Sequence, residues 1–199
     1  MRRTPLVLLV VALVLGLGGC GKEEQGAPLE LGGDSADQPS KSATPSATEE
    51  QQPFDDKGHE VLRGKVEATT PEQQEVVDAW FAYWDVRAKS YGEAKVDPAL
   101  GQVAAVTAVS DVVQYVNHLR QKKLRTVGDT KFDISKVRVD GRSAVLESCA
   151  TNKSIDVTAD GAPAEQPVPF FTADGTLVQR GGQWRVVEAA IEVTTRACR

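Results

Sequence analysis

Histidine, methionine and cysteine are scarce in this chain: two, one and three in 199 residues. Neither His59 nor His118 has a second histidine or a cysteine at ligand spacing, so no metal centre is expected. The same scarcity leaves no Ser/His/Asp or Cys/His arrangement for nucleophilic catalysis, and no motif calls for a cofactor. Long apolar runs are missing too, with one exception: Leu6 to Leu15, ten residues, well short of the ~20 that a spanning helix needs. Positive charge is not in excess either. The formal net charge is −5, and residues 21–57 alone hold nine acids against three lysines. The rest of the chain is nearly neutral, which argues against a nucleic-acid partner. There is no internal repeat, and the length allows one ordinary domain or two very small ones.

What is present begins at the N-terminus. Arg2 and Arg3 precede the apolar run, and Gly16-Leu17-Gly18-Gly19-Cys20 closes it. A positive start, a short apolar stretch and small residues at its end predict a secretory signal over 1–19. Leu17-Gly18-Gly19-Cys20 resembles the lipobox of bacterial lipoproteins, which implies that Cys20 carries the lipid, palmitate included. Three cysteines are an awkward number for an exported protein. With Cys20 lipidated, Cys149 and Cys198 remain as a disulfide pair in an oxidising compartment, the alternative being two free thiols. The expected localisation is the cell membrane, lipid-anchored on its extracytoplasmic side.

Residues 20–57, the lipidated cysteine and its tether, are rich in Gly, Pro, Ser, Gln, Glu and Asp. Such a segment cannot bury enough apolar surface to offset ordering, and the composition predicts a disordered acidic spacer of roughly 30 Å r.m.s. span. One α+β domain is expected over 58–199. Thr70-Pro71-Glu72-Gln73 reads as a capping box with proline at the first helical position. Beyond it Val76, Val77, Trp80, Tyr83, Trp84, Ala88 and Tyr91 share one helical face, with Asp78, Asp85 and Lys89 opposite. Asp97-Pro98 starts a second helical region. Its stripe is Val109, Val112, Val113, Val116 and Leu119, its end is basic from Arg120 to Arg125, and a break is expected between Gly101 and Val109.

From Lys131 the pattern changes to strands. Phe132, Ile134, Val137 and Val139 alternate with a slip at Ser135-Lys136 that predicts a bulge. Asp140-Gly141 predicts a tight hairpin into Ser143–Ala150. Asp160-Gly161, Asp174-Gly175 and Gly181-Gly182 read as further turns, the last between strands at Phe170–Arg180 and Gln183–Thr195. Helices first, then an antiparallel meander, is an α+β arrangement. With its aromatic helix "VVDAWFAYW" and closing hairpin "LVQRGGQWRVVEAAIEV", the chain resembles the NTF2-like superfamily, and lipoproteins of Gram-positive bacteria show a similar order of elements. The resemblance implies N-terminal helices packed in a curved antiparallel sheet, a cone, and says little of function.

Arg87 stands out because the helical wheel places it among Tyr83, Trp84 and Tyr91. In a cone that face looks into the cavity, where an unpaired guanidinium is costly. Glu147 and Asp156 are its expected carboxylate partners. Tyr83, Trp84, Arg87, Tyr91, Glu147 and Asp156 therefore form the candidate pocket, with no catalytic residue named. His59, at the tether boundary, and His118, off the apolar stripe, are both expected in solvent. The leading expectation is a non-enzymatic module that binds a protein partner or a small ligand at the outer face of the membrane. An isomerase- or dehydratase-like enzyme in the cone is the rival, and an envelope spacer or sensor without a pocket is a third reading.

Overall fold

A computed structural model describes residues 58–198; the expected signal, Cys20 and the expected tether lie outside the described residues. The first element is β1 (His59–Val66), followed by α1 (Pro71–Gly92), α2 (Leu100–Val103) and α3 (Thr107–Lys122). Five strands complete the chain: β2 (Arg125–Asp140), β3 (Ser143–Asn152), β4 (Ile155–Val157), β5 (Phe170–Arg180) and β6 (Gln183–Val193). The architecture is α+β, with a mixed six-stranded sheet in the order β1-β2-β3-β5-β6 and β4 paired to the start of β2.

Two expectations need correction here. Helices do not come first, because β1 precedes α1, and the sheet is not wholly antiparallel, because β1 runs parallel to β2. A parallel pair needs a crossover, and α1 to α3 supply it between these two strands. β1 escapes sequence reading for a physical reason. It is an edge strand carrying Glu60, Arg63 and Lys65, and edge strands tolerate the charges that central strands exclude.

The capping box forms as its residues dictate. The Thr70 hydroxyl accepts from the Gln73 amide at 3.2 Å, and the Gln73 side chain accepts from the Thr70 amide at 3.2 Å. α1 buries Val76, Val77, Trp80, Phe81, Tyr83, Trp84, Ala88 and Tyr91. It packs against both edge strands, β1 and β6, as well as β2 and β3. The sheet therefore wraps the helix, and the core lies on the concave face. The helical break falls at Ala104–Val106, where the Ala105 amide bonds the Val186 carbonyl and Val106 takes a φ of 51°.

The β2–β3 register shifts between Ile134 and Lys136, the expected bulge, and Asp140-Gly141 turns the hairpin. Asp174-Gly175, by contrast, is no turn. Both residues lie in the middle of β5, paired to Glu147 and Leu146 of β3. A Cβ on Gly175 would stand 2.5 Å from the Trp80 ring, so glycine is required there for close approach rather than for a bend. Cys149 and Cys198 are disulfide-bonded with Cα atoms 5.5 Å apart, inside the range a bridge demands.

Candidate functional site

The α1 face presents a ladder of rings to the sheet. Trp80 meets Trp84 edge-on at 5.6 Å, and Trp84 lies 4.3 Å from Phe132 and 6.1 Å from Phe171 between ring centroids. These rings fill the concave face along most of the helix. Near the C-terminal end of α1 the filling stops, leaving an open cavity of about 240 Å³. Its lining comes from β1, α1, α3, β2, β3, β4, the loop before β5 and the start of β5 itself. That volume falls below the ~300–1,000 Å³ of sites for drug-sized ligands, so the occupant it suits is small.

Arg87 lines this cavity, half-buried. Its guanidinium sits 4.3 Å over the Trp84 ring and 5.1 Å from Tyr91, and its Nε donates to the Tyr91 hydroxyl at 3.0 Å. Burial works against the charge, while the neighbouring Tyr91 and Tyr83 hydroxyls favour it, and the net direction is upward. The guanidinium stays cationic. Among the described residues no carboxylate lies within ion-pair distance of it.

The expected partners are placed differently from one another. Glu147 is not in the pocket. It sits on the outer face of β3, between buried Leu146 and Ser148, and pairs with Lys136. Strand alternation puts Glu147 on the same face of β3 as Cys149. That face is the outer one, where Cys198 also meets Cys149. Asp156 does line the cavity, yet without pairing to Arg87. Its Oδ2 accepts from the Tyr115 hydroxyl and its Oδ1 from the Thr126 hydroxyl, each at 2.7 Å. Tyr115 in turn packs on Tyr91 at 4.5 Å between ring centroids, so two tyrosines stand between the cation and the anion. Trp84 and Tyr91 line the cavity with Arg87, while Tyr83 is buried behind them and packs on Trp84 at 5.8 Å.

His59 is the lining residue that the sequence reading placed wrongly. It is no solvated boundary residue but the first residue of β1, opposite Gly128. His118 is exposed as expected, stacked on Tyr115 at 6.0 Å. The His59 Nε2 lies 3.0 Å from the Thr130 hydroxyl. Asn152 gives its amide hydrogens to the carbonyls of Val168 and Ser154, which leaves its Oδ1 to accept from the Thr130 hydroxyl at 2.8 Å. The one Thr130 hydroxyl proton being so used, His59 must donate from Nε2. Its Nδ1 is then an acceptor, buried with no partner among the described residues. Burial first, and the Arg87 charge second, lower the His59 pKa from 6.5 to about 4.

A pH dependence follows from this shift. Between pH 6.5 and about 4 the unfolded chain holds a proton on His59 that the folded chain refuses. Stability therefore falls as the pH drops through that window, by about 3 kcal/mol from this group, and the loss ends below about pH 4. Urea denaturation at pH 7 and at pH 4.5 is expected to show a smaller decrease for His59→Gln than for the unaltered protein. Equal decreases would mean that His59 is not held neutral.

No family model matches the sequence, and no curated protein matches it. Solved structures do share its fold. The crystal structure of the intermembrane-space region of the chloroplast protein ARC6 matches with a TM-score of 0.51 at 13% identity, covering 64% of this chain and 99% of that one. Structural neighbours also include NTF2-like proteins of unknown function. One from Shewanella oneidensis has a TM-score of 0.40 at 11% identity, over 58% of this chain and 97% of that one. One from Shewanella baltica has 0.38 at 13%, over 65% and 100%. At 13% identity the likeness to the ARC6 region is one of fold alone. Among the described residues no helix is long and apolar enough to cross a membrane.

Proposed function

We propose that this chain is an exported, lipid-anchored binding module whose domain, an NTF2-like cone, takes a small organic anion in the cavity at the end of α1. Cys20 carries the lipid, and residues 21–57 space the domain from the outer face of the cell membrane. One observation carries the binding reading: Arg87 is a half-buried guanidinium with aromatic faces around it and, among the described residues, no carboxylate paired to it. Stacking on Trp84 offsets part of its desolvation, and an incoming anion supplies the rest.

Binding is favoured over catalysis by the state of the other polar groups. Both Asp156 oxygens already accept hydroxyl protons, and His59 has Nε2 committed to Thr130 while its Nδ1 is sealed from solvent. His59 therefore presents no free ring nitrogen to a ligand for general acid–base chemistry.

The test is calorimetric titration with acetate, butyrate and benzoate. At least one is expected to bind the unaltered protein, and Arg87→Met to weaken that binding roughly 10- to 150-fold, the worth of a charge-assisted hydrogen bond. The fold should survive, because no ion pair is broken. Unchanged binding in Arg87→Met would remove the basis of the reading. Anchoring is tested separately: Cys20→Ala should leave the protein unprocessed or move it from the membrane to the soluble fraction. Mass spectrometry that finds an unlipidated Cys20 on membrane-bound protein would contradict the anchor.

A further inference from the structure

The cavity that holds Arg87 also holds a carboxylate, and the two do not meet. Arg87 comes from α1 and Asp156 from β4, both line the one cavity, and no ion pair joins them. Opposite charges sharing a small, partly dry space ordinarily close on each other, since each left alone keeps its desolvation cost. Here each is held in place by a different tyrosine. Arg87 Nε is tied to the Tyr91 hydroxyl at 3.0 Å, while Asp156 is tied to the Tyr115 and Thr126 hydroxyls at 2.7 Å. The Tyr91 and Tyr115 rings, packed against each other, keep the two charges apart.

A carboxylate has about four lone-pair sites, and two hydroxyls occupy two of them. Asp156 therefore retains acceptor capacity, with no cation paired to it among the described residues. Electrostatic complementarity then asks for a ligand with a negative group at one end and a positive group at the other. We propose, resting on the anion-binding reading above, that the occupant is a small zwitterion, an amino acid or its like. Its carboxylate meets Arg87 and its ammonium meets Asp156. Trp84, Tyr91, Tyr115 and Phe171 supply the apolar wall between the two ends, and ring faces suit an ammonium as well as a hydrocarbon chain.

The inference is tested by calorimetry on the lipid-free mature chain at pH 7. The probes are glycine, β-alanine, 4-aminobutyrate and 5-aminovalerate, each paired with the carboxylate of equal length that lacks the amine. At least one amino acid is expected to bind tenfold or more tightly than its des-amino partner. Asp156→Asn should erase that preference, whereas Arg87→Met should weaken the binding of both members of each pair. Equal affinity within every pair would overturn the zwitterion and leave the anion reading standing. Binding of neither kind would overturn both. The wild-type comparison decides the matter even if Asp156→Asn fails to fold. Glu165, which lines the same cavity from an exposed loop, provides a further check: loss of the preference in Glu165→Gln but not in Asp156→Asn would overturn the assignment to Asp156.

Discussion

Trp80→Ala is expected to cost about 3–5 kcal/mol of stability, the range for emptying a buried aromatic site. The Trp80 ring is fully buried, packs on Tyr83 and Trp84, and rests on Gly175 in the centre of β5. Few neighbours can move into the space it leaves. On one side the wall is strand backbone held by β3 and β6, and on the other it is α1 itself. The cavity should therefore persist rather than collapse, which places the cost at the upper end of the range. Urea denaturation of the full chain measures it. A loss below about 1.5 kcal/mol would mean that the sheet does not close on this ring.

The second large effect concerns the C-terminus. Replacing both Cys149 and Cys198 by alanine is expected to cost about 4 kcal/mol, from loop-closure entropy for a separation of 49 residues. The bridge joins β3 to a segment just beyond β6, so it also fastens that segment to the sheet. Thermal denaturation of the double variant, with the oxidised protein beside it, gives the difference directly. A reductant should destabilise the unaltered protein by a similar amount and leave the double variant unaffected. Indifference of the unaltered protein to reductant would contradict a structural role. A bridge of this kind is at home in an oxidising compartment, which supports the proposal of export.

The elements that sequence reading located are those whose signals are local. The Thr70–Gln73 box, the bulge at Ser135-Lys136 and the Asp140-Gly141 hairpin each depend on a few adjacent residues, and each forms. The α1 face was legible for the same reason, because helical periodicity needs no partner. What escaped depends on distant neighbours. β1 is a strand only because β2 offers it an edge, and β4, at three residues, has too short a pattern to register. Gly175 has the sequence dress of a turn, yet its reason is an indole from a helix 95 positions earlier in numbering.

The pocket follows the same division. Arg87, Trp84 and Tyr91 could be placed from one helix alone. Asp156 was named with them, but its unpaired relation to Arg87 depends on Tyr115 and Thr126, which no spacing reveals. Glu147 cannot be placed from sequence, because strand alternation says which residues share a face and not which face is inward. His59 lay beside the tether in sequence, and only its pairing with β2 carries it into the cavity.

Seating of an organic anion on Arg87 can be followed at the Arg87 Nε–H signal by ¹H–¹⁵N NMR during titration with benzoate. The Nε already donates to Tyr91, so its resonance is expected to be resolved and protected before any ligand is added. A saturable shift of that signal is expected, accompanied by amide shifts confined to residues around the cavity, among them Trp84, Tyr91, Thr126, Asn152 and Phe171. A saturable response centred instead on the exposed basic end of α3, around Arg120, Lys122 and Lys123, with the Arg87 signal unmoved, would contradict it.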